Sequence, residues 1–435
     1  MDSGDSTGEP RYLFRSVLIF SILSTLYILS MFHRVSIAVI APSLIEDFNL
    51  DAETLGILGG AYFYSFTLIQ IPMGPMLDRI GPRMVISSFA FIGALGAFLF
   101  AFSHSFYTAF WGRILIGLGM AAILMSSLKV FTLRFSPKQF ATLMGTLVSI
   151  GSLGSILAAS PLAYFNSTIG WRLTIAFAGG ISIILAYLTY WILGREEGKR
   201  EGDVDLPTSS SPSLSIFQSL RVILGTLAFW QGSAVSFFRY GTFIALQGLW
   251  LGPYLMNIKG YAPLRAGNIL ILMALGGIVG GPISGRFSDR AFPSRKVVAL
   301  VGLSLYAICL LPLTGVIRTE NPHGYGILFF FIGFFNTFGM GVYSHIKELF
   351  PLAISGTVMT WMNFFNMAGV AIFMPLLGKI IEGFQRPDHS YPPEAYHLSF
   401  LICFLSIVAS LVFYAFSKKE RMGDAEMRRH GEGPS

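Results

Sequence analysis

Gly74-Pro75-Met76-Leu77-Asp78-Arg79-Ile80-Gly81-Pro82-Arg83 is a short polar loop between two long apolar runs, and Gly285-Arg286-Phe287-Ser288-Asp289-Arg290 is a second loop of the same kind later in the chain. The match is part of a longer register. At an offset of 211 residues Pro42 meets Pro253, Leu44 meets Leu255, Gly56 meets Gly267, and Gly74, Asp78 and Arg79 meet Gly285, Asp289 and Arg290. Further on the offset becomes 214, pairing Pro137 with Pro351, Thr146 with Thr360 and Pro161 with Pro375, and a longer loop around Ala291 to Ser294 absorbs the added residues. The matched positions are rich in Gly and Pro, which punctuate and kink helices. The chain therefore reads as two copies of one architecture in parallel.

A membrane-spanning helix needs roughly 20 apolar residues to cross about 30 Å of hydrocarbon. The sequence, 53% hydrophobic and 12% charged, offers twelve such runs: 13–41, 55–77, 84–103, 107–131, 140–164, 173–194, 222–254, 264–285, 297–317, 325–347, 355–381 and 394–416. The expected fold class is all-α integral membrane, twelve helices in two six-helix repeats. A six-helix bundle over 1–194, a flexible cytoplasmic linker over 195–221, a second bundle over 222–416 and a cytoplasmic tail over 417–435 follow from the polar stretches between runs. The acidic first ten residues lack the basic start and cleavage pattern of a signal peptide, so the first run is expected to remain as a span.

The formal charge of +7 invites a nucleic-acid reading, but its distribution explains it otherwise. Arg172, Lys259, Arg265, Arg318 and Arg386 fall on one side of the runs, Arg34, Arg113, Arg239 and Lys379 fall within or at the edge of them, and all other Lys and Arg fall on the side of the termini. Cytoplasmic loops carry the excess of Lys and Arg, so both termini are expected in the cytoplasm, in a cell (inner) membrane, with the lipid bilayer as the one macroscopic partner. Cys309 and Cys403 lie in apolar runs, away from any metal-ligand spacing. No Walker-type loop or catalytic constellation is spelled out, and no enzyme activity, metal or cofactor is expected.

The loop 74–83 resembles the signature loop of the major facilitator superfamily, and Arg113-Ile114-Leu115-Ile116-Gly117-Leu118-Gly119 is similar to that superfamily's second motif. The resemblance implies the major facilitator fold and a monomer. It makes Gly74, Asp78, Arg79, Gly81, Arg83, Gly285, Asp289 and Arg290 a gating motif, with glycines allowing close helix approach and Asp meeting a helix end or a basic partner. A plain topology anchor is the other reading of the loop. Pro82 stands where the pattern prefers Arg or Lys.

The charges within the spans point to the cargo. No Asp or Glu lies in a span interior, and Glu348, Glu382 and Glu394 fall at ends, whereas Arg34, Arg113 and Arg239 lie inside and Lys129 near an end. A central Arg or Lys costs at least ~2.5–3.5 kcal/mol on insertion scales and faces a bundle interior or cavity. Cations without acids favour an anionic substrate, a carboxylate or phosphate ester. Arg34 and Arg239 are the candidate ligands, against snorkelling for Arg34 and backbone pairing for Arg239. Gln70, Tyr62, Tyr64, Gln247, Asn363 and Asn366 are further candidate lining groups, as are Trp250, Asn336 and Tyr343. Arg113, Lys129 and His33 are assigned structural or coupling roles, His33 as a group able to titrate near neutral pH or as a capping or interfacial side chain.

The stretch Arg34-Val35-Ser36-Ile37-Ala38-Val39-Ile40-Ala41-Pro42 also resembles the first span of the organophosphate:phosphate antiporters, which implies a substrate-binding Arg34, and Arg239-Tyr240-Gly241 resembles their seventh span. Arg34 and Lys129 are similar to basic residues of the anion:cation symporters, where His33 and Met120 replace the acids of proton-coupled members. The expected function is a secondary active transporter, symporter or antiporter, of a small organic anion by rocker-switch alternating access. An exporter of hydrophobic or cationic drugs and a non-transporting receptor are the alternatives.

Overall fold

The computed structural model describes residues 8–135, 137–200, 216–287, 294–316, 322–388 and 390–417. The described residues are helical nearly throughout and contain no strand. Ten of their helices are long and apolar enough to cross a membrane by length and composition. The other expected runs are broken for local reasons. Run 140–164 is split between Pro137–Leu157 and Ser160–Arg200, with a turn at Ala158 and Ala159. Run 222–254 is the helix Leu227–Ala245, which carries Gln231 and Arg239 in its interior, followed by wide π turns at Leu246–Trp250 and Tyr254–Ile258. Pro253 separates those turns. It has no N–H and crowds the preceding carbonyls, so regular α geometry fails there.

By their internal contacts the residues form two compact units, Met1–Ser36 with Tyr64–Pro207, and Ile37–Phe63 with Thr208–Ser435. In the first unit Pro82–Ala101 packs between Phe106–Ala121 and Ser160–Arg200. The contact is backbone to backbone: a side chain on Gly112 would lie 2.6 Å from the Phe100 nitrogen, so only glycine permits this approach. Ser105 caps Phe106–Ala121 reciprocally, its hydroxyl accepting from Thr108 N–H at 3.3 Å while the Thr108 hydroxyl accepts from Ser105 N–H at 3.3 Å. That satisfies two of the donors a helix start leaves open.

In the second unit the segment 37–63 packs on the π-turn region and on Leu352–Glu382. The start of Ala52–Arg79 is held from two directions. Asp51 Oδ1 accepts from Thr54 N–H at 2.7 Å, as expected of an acid at a helix N-terminus. Ala52 N–H donates to Glu382 Oε2 at 2.9 Å and to the Tyr391 hydroxyl at 3.0 Å, and that hydroxyl donates to Glu382 at 2.6 Å. Burial and the carboxylate push the Tyr391 phenol up to about 12. Trp250 Nε1 donates to the Met374 carbonyl at 3.0 Å.

The stretch 195–221, expected as a flexible linker, contributes helix at both ends: Ser160–Arg200 runs on into it, and Ile216–Leu224 begins within it. Residues 201–215 lie outside the described residues.

Candidate functional site

Arg239 sits on Leu227–Ala245 at 4% exposure. Its Nη1 donates to both the backbone oxygen and the side-chain Oδ1 of Asn336, each at 3.0 Å. The helix Pro322–Asn336 gives way to a 3-10 turn at Thr337–Gly339. Met340 N–H bonds the carbonyls of Thr337 and Phe338. Any side chain on Gly339 would strike Arg239. The Tyr240 ring lies 5.6 Å from the guanidinium carbon, and Tyr343 and Tyr306 are within electrostatic reach. Asn366 Nδ2 donates to the Tyr343 hydroxyl. Thr242 joins its hydroxyl to Tyr306 at 3.3 Å and donates to the Arg239 carbonyl at 3.2 Å. The result is a buried guanidinium among neutral hydrogen-bonding side chains and phenols. The Arg239 Nε and the Asn366 Oδ1 have no hydrogen-bond partner among the described residues. Such groups are costly to leave unmet, and a bound anion is one way to meet a guanidinium.

In the first unit Arg34 is 5% exposed, with its guanidinium carbon 5.1 Å from the centre of the Phe66 ring. Gln70 Nε2 donates to the Ala121 carbonyl at 3.4 Å and Ser30 Oγ to the Met120 carbonyl at 3.4 Å. Both acceptors end Phe106–Ala121, where the chain breaks at Ala122 before Ile123–Arg134. Arg113, fully buried, donates through Nη1 to the His33 carbonyl at 2.8 Å and lies 5.9 Å from the Phe100 ring. That arrangement ties the first span to the fourth. The His33 ring is fully buried, against Phe32 at 5.3 Å. Lys129 is half-buried one turn before the end of Ile123–Arg134.

The structure thus gathers Arg239 with Asn336, Tyr343 and Asn366, and Arg34 with Phe66. Tyr62 and Tyr64, neighbours in sequence, part company: Tyr62 is buried against Phe63 in the second unit, and Tyr64 is half-buried in the first. Gln247 is buried in the first π turn and Asn363 is half-buried. Sequence reading did not single out Phe66, Tyr240, Thr242, Tyr306 or Gly339. Tyr240 was in plain view beside Arg239; the others depend on helix packing and on the break at Thr337.

The loop motif is placed in part. Gly81 has φ +84°, a conformation L residues rarely adopt, and Pro82 opens the next helix at its first position. Arg83 donates through Nε to the Tyr190 carbonyl at 3.0 Å and stacks 4.2 Å from that ring. Arg79 is exposed at its helix end. Among the described residues, a side chain on Gly74 or Gly285 would meet nothing within 4 Å. Asp289, Arg290 and the side chain of Asp78 lie outside the described residues.

The chain is similar to known transporters over most of its length. It shares 27% identity over 91% of this chain and 92% of the other with the uncharacterized transporter YybO of Bacillus subtilis. It shares 23% over 68% and 72% with the probable sulfoacetate transporter SauU of Cupriavidus necator, and 26% over 83% and 84% with the gallate transporter of Pseudomonas putida. In fold it is similar to a bacterial homolog of the human lysosomal transporter Spinster, solved inward-facing and unoccupied, with TM-score 0.74 and 20% identity over 95% of this chain and 98% of that one. The family model of the Major Facilitator Superfamily matches residues 23–374 and again 235–431, and the chain belongs to that superfamily.

Proposed function

We propose that this membrane transporter carries a small organic anion, a carboxylate or phosphate ester, by rocker-switch alternating access. The observation that carries the reading is Arg239: a buried guanidinium on a spanning segment whose hydrogen bonds go to neutral Asn336. A cation in that setting is stabilised by an anionic ligand, because charge-assisted hydrogen bonds in low dielectric are stronger than neutral ones. The absence of Asp and Glu from the span interiors, evident in the sequence, works in the same direction. The sulfoacetate and gallate named for two relatives are both organic anions.

In this reading Arg239 receives the anionic group, with Asn336, Tyr343 and Asn366 as its neutral surround. Arg34, over Phe66, is a further candidate cationic group, on the first unit. The six-helix halves 1–194 and 222–416 carry one of these two arginines each, both termini face the cytoplasm, and the protein works as a monomer.

The test is uptake into proteoliposomes. Wild type is offered aliphatic and aromatic carboxylates, sulfonates, phosphate esters and lipophilic cations, beside Arg239→Ala and Arg34→Ala. Uptake of an anion by wild type and its loss in Arg239→Ala support the proposal. Transport confined to cations, or full anion uptake in both variants, would falsify it.

A further inference from the structure

A cavity of about 390 Å³ opens on the second unit between the helices Pro263–Arg286, Arg295–Leu310 and Pro322–Asn336, and Arg239 is not among its lining residues. Its walls are wholly apolar and include Ile283, Phe287, Val297, Val301, Phe334 and Phe335. The aromatic wall is fixed by its own stacking. Phe334 stacks on Phe330 at 6.2 Å and 22°, Phe335 on Phe331 at 5.7 Å and 19°, and Phe338 tilts against both Phe334 and Phe335 at about 6 Å. The shape has a backbone cause. Gly276 and Gly333 let two helices touch main chain to main chain, and Phe338 fills the space that a side chain on Gly302 would need. The helices are pinned there, and the gap between them is left open beside the pin. Val301 is 56% exposed, and Phe287 and Val297 are exposed as well, so the groove opens outward along spanning helices.

One end of the groove is basic. Phe287 follows the exposed Arg286, and Val297 follows Arg295 and Lys296. Arg295 is engaged by Glu348 at 3.1 Å, and the Lys296 ammonium donates to the carbonyls of Ala415, at 2.7 Å, and Ser417. Among the described residues, Arg286 is an exposed cation adjoining the lining residue Phe287, and these bonds do not involve it. An apolar slot on a membrane-spanning surface with a cation at one end has the form of a site for a chain with an anionic head.

We propose that this groove binds one acyl chain of an anionic phospholipid, with the headgroup phosphate at Arg286. Two features separate such a site from general lipid contact: the preformed aromatic wall selects for a chain held in place, and Arg286 selects for negative charge.

The test uses the full chain in detergent, with native mass spectrometry counting retained lipid. Phosphatidylglycerol, phosphatidylethanolamine and the free headgroup analogue glycerol phosphate are added in turn. Retention of phosphatidylglycerol over phosphatidylethanolamine by wild type is expected, with no retention of glycerol phosphate at this site. Arg286→Gln should lower that preference about fivefold, the size of one surface cation acting on an anionic lipid. Val301→Trp, at an exposed position that tolerates bulk, should fill the slot and remove retention of both lipids. Arg239→Ala should leave retention unchanged, which separates this site from the transport site. Equal retention of the two lipids by wild type, or undiminished retention in Val301→Trp, overturns the proposal.

Discussion

Arg34 and Arg239 occupy comparable runs of the two repeats, yet the protein surrounds them differently. Arg239 is fixed by two hydrogen bonds to one residue, Asn336, and ringed by Tyr240, Tyr306 and Tyr343. Arg34 lies over the face of Phe66. Asn336 orients the first guanidinium and restricts its rotamers, and the Phe66 face adds a ring-electrostatic attraction at the second. Arg113 gives the third case: its Nη1 bond runs to a backbone carbonyl of the neighbouring span, so it joins helices. Three buried arginines that look alike in the sequence therefore sit in different surroundings: an oriented guanidinium, a cation over an aromatic ring and a brace.

This comparison can be broken or sharpened by mutation. The largest effect is expected at Arg239. Arg239→Ala should weaken anion binding by at least about 100-fold, roughly 2.7 kcal/mol, within the range for charge-assisted hydrogen bonds. Binding calorimetry checks the affinity, and thermal unfolding checks that the fold is retained. Next is Asn336→Leu, which leaves a buried guanidinium N–H without its partner and should destabilise the protein by about 1–3 kcal/mol. A transition unchanged from wild type in a thermal melt would remove Asn336 from the account. Phe66→Leu should loosen Arg34 alone, costing about 1 kcal/mol or fivefold in affinity, seen by calorimetry with Arg239 intact. Smallest is Tyr343→Phe, which removes the hydroxyl that accepts from Asn366 and should cost about 0.5–1.5 kcal/mol in binding. If it cost more than Arg239→Ala, the phenols rather than the guanidinium would be the main ligands.

Much of the fold was readable in advance because membrane helices announce themselves by length and apolarity, and because the loops 74–83 and 285–290 repeat. The interruptions were harder to see. Ser36 and Ala122 separate helices without a Gly or Pro at the break, so nothing local marks them. The π turns flanking Pro253 were within a run that hydropathy alone continues unbroken. The grouping of 37–63 with the second unit depends on packing that sequence periodicity does not encode.

The candidate site was legible to the extent that charge is legible. Arg34 and Arg239 stand out because an ionised group inside an apolar run is rare. Asn336 was among the candidate lining groups, but its pairing with Arg239 was not legible, because it depends on helix packing and on Gly339 giving the guanidinium room. Gln247 and Asn363 were as conspicuous in sequence as Asn366, yet it is Asn366 that hydrogen-bonds Tyr343 beside Arg239.

The central claim is that Arg239 reads the negative charge of the substrate. The most direct measurement compares the affinity of a transported acid with that of its neutral amide, in wild type and in Arg239→Ala. The account predicts that wild type prefers the acid by about 100-fold or more and that the preference collapses in the variant while amide binding is little changed. An undiminished preference in Arg239→Ala would contradict it.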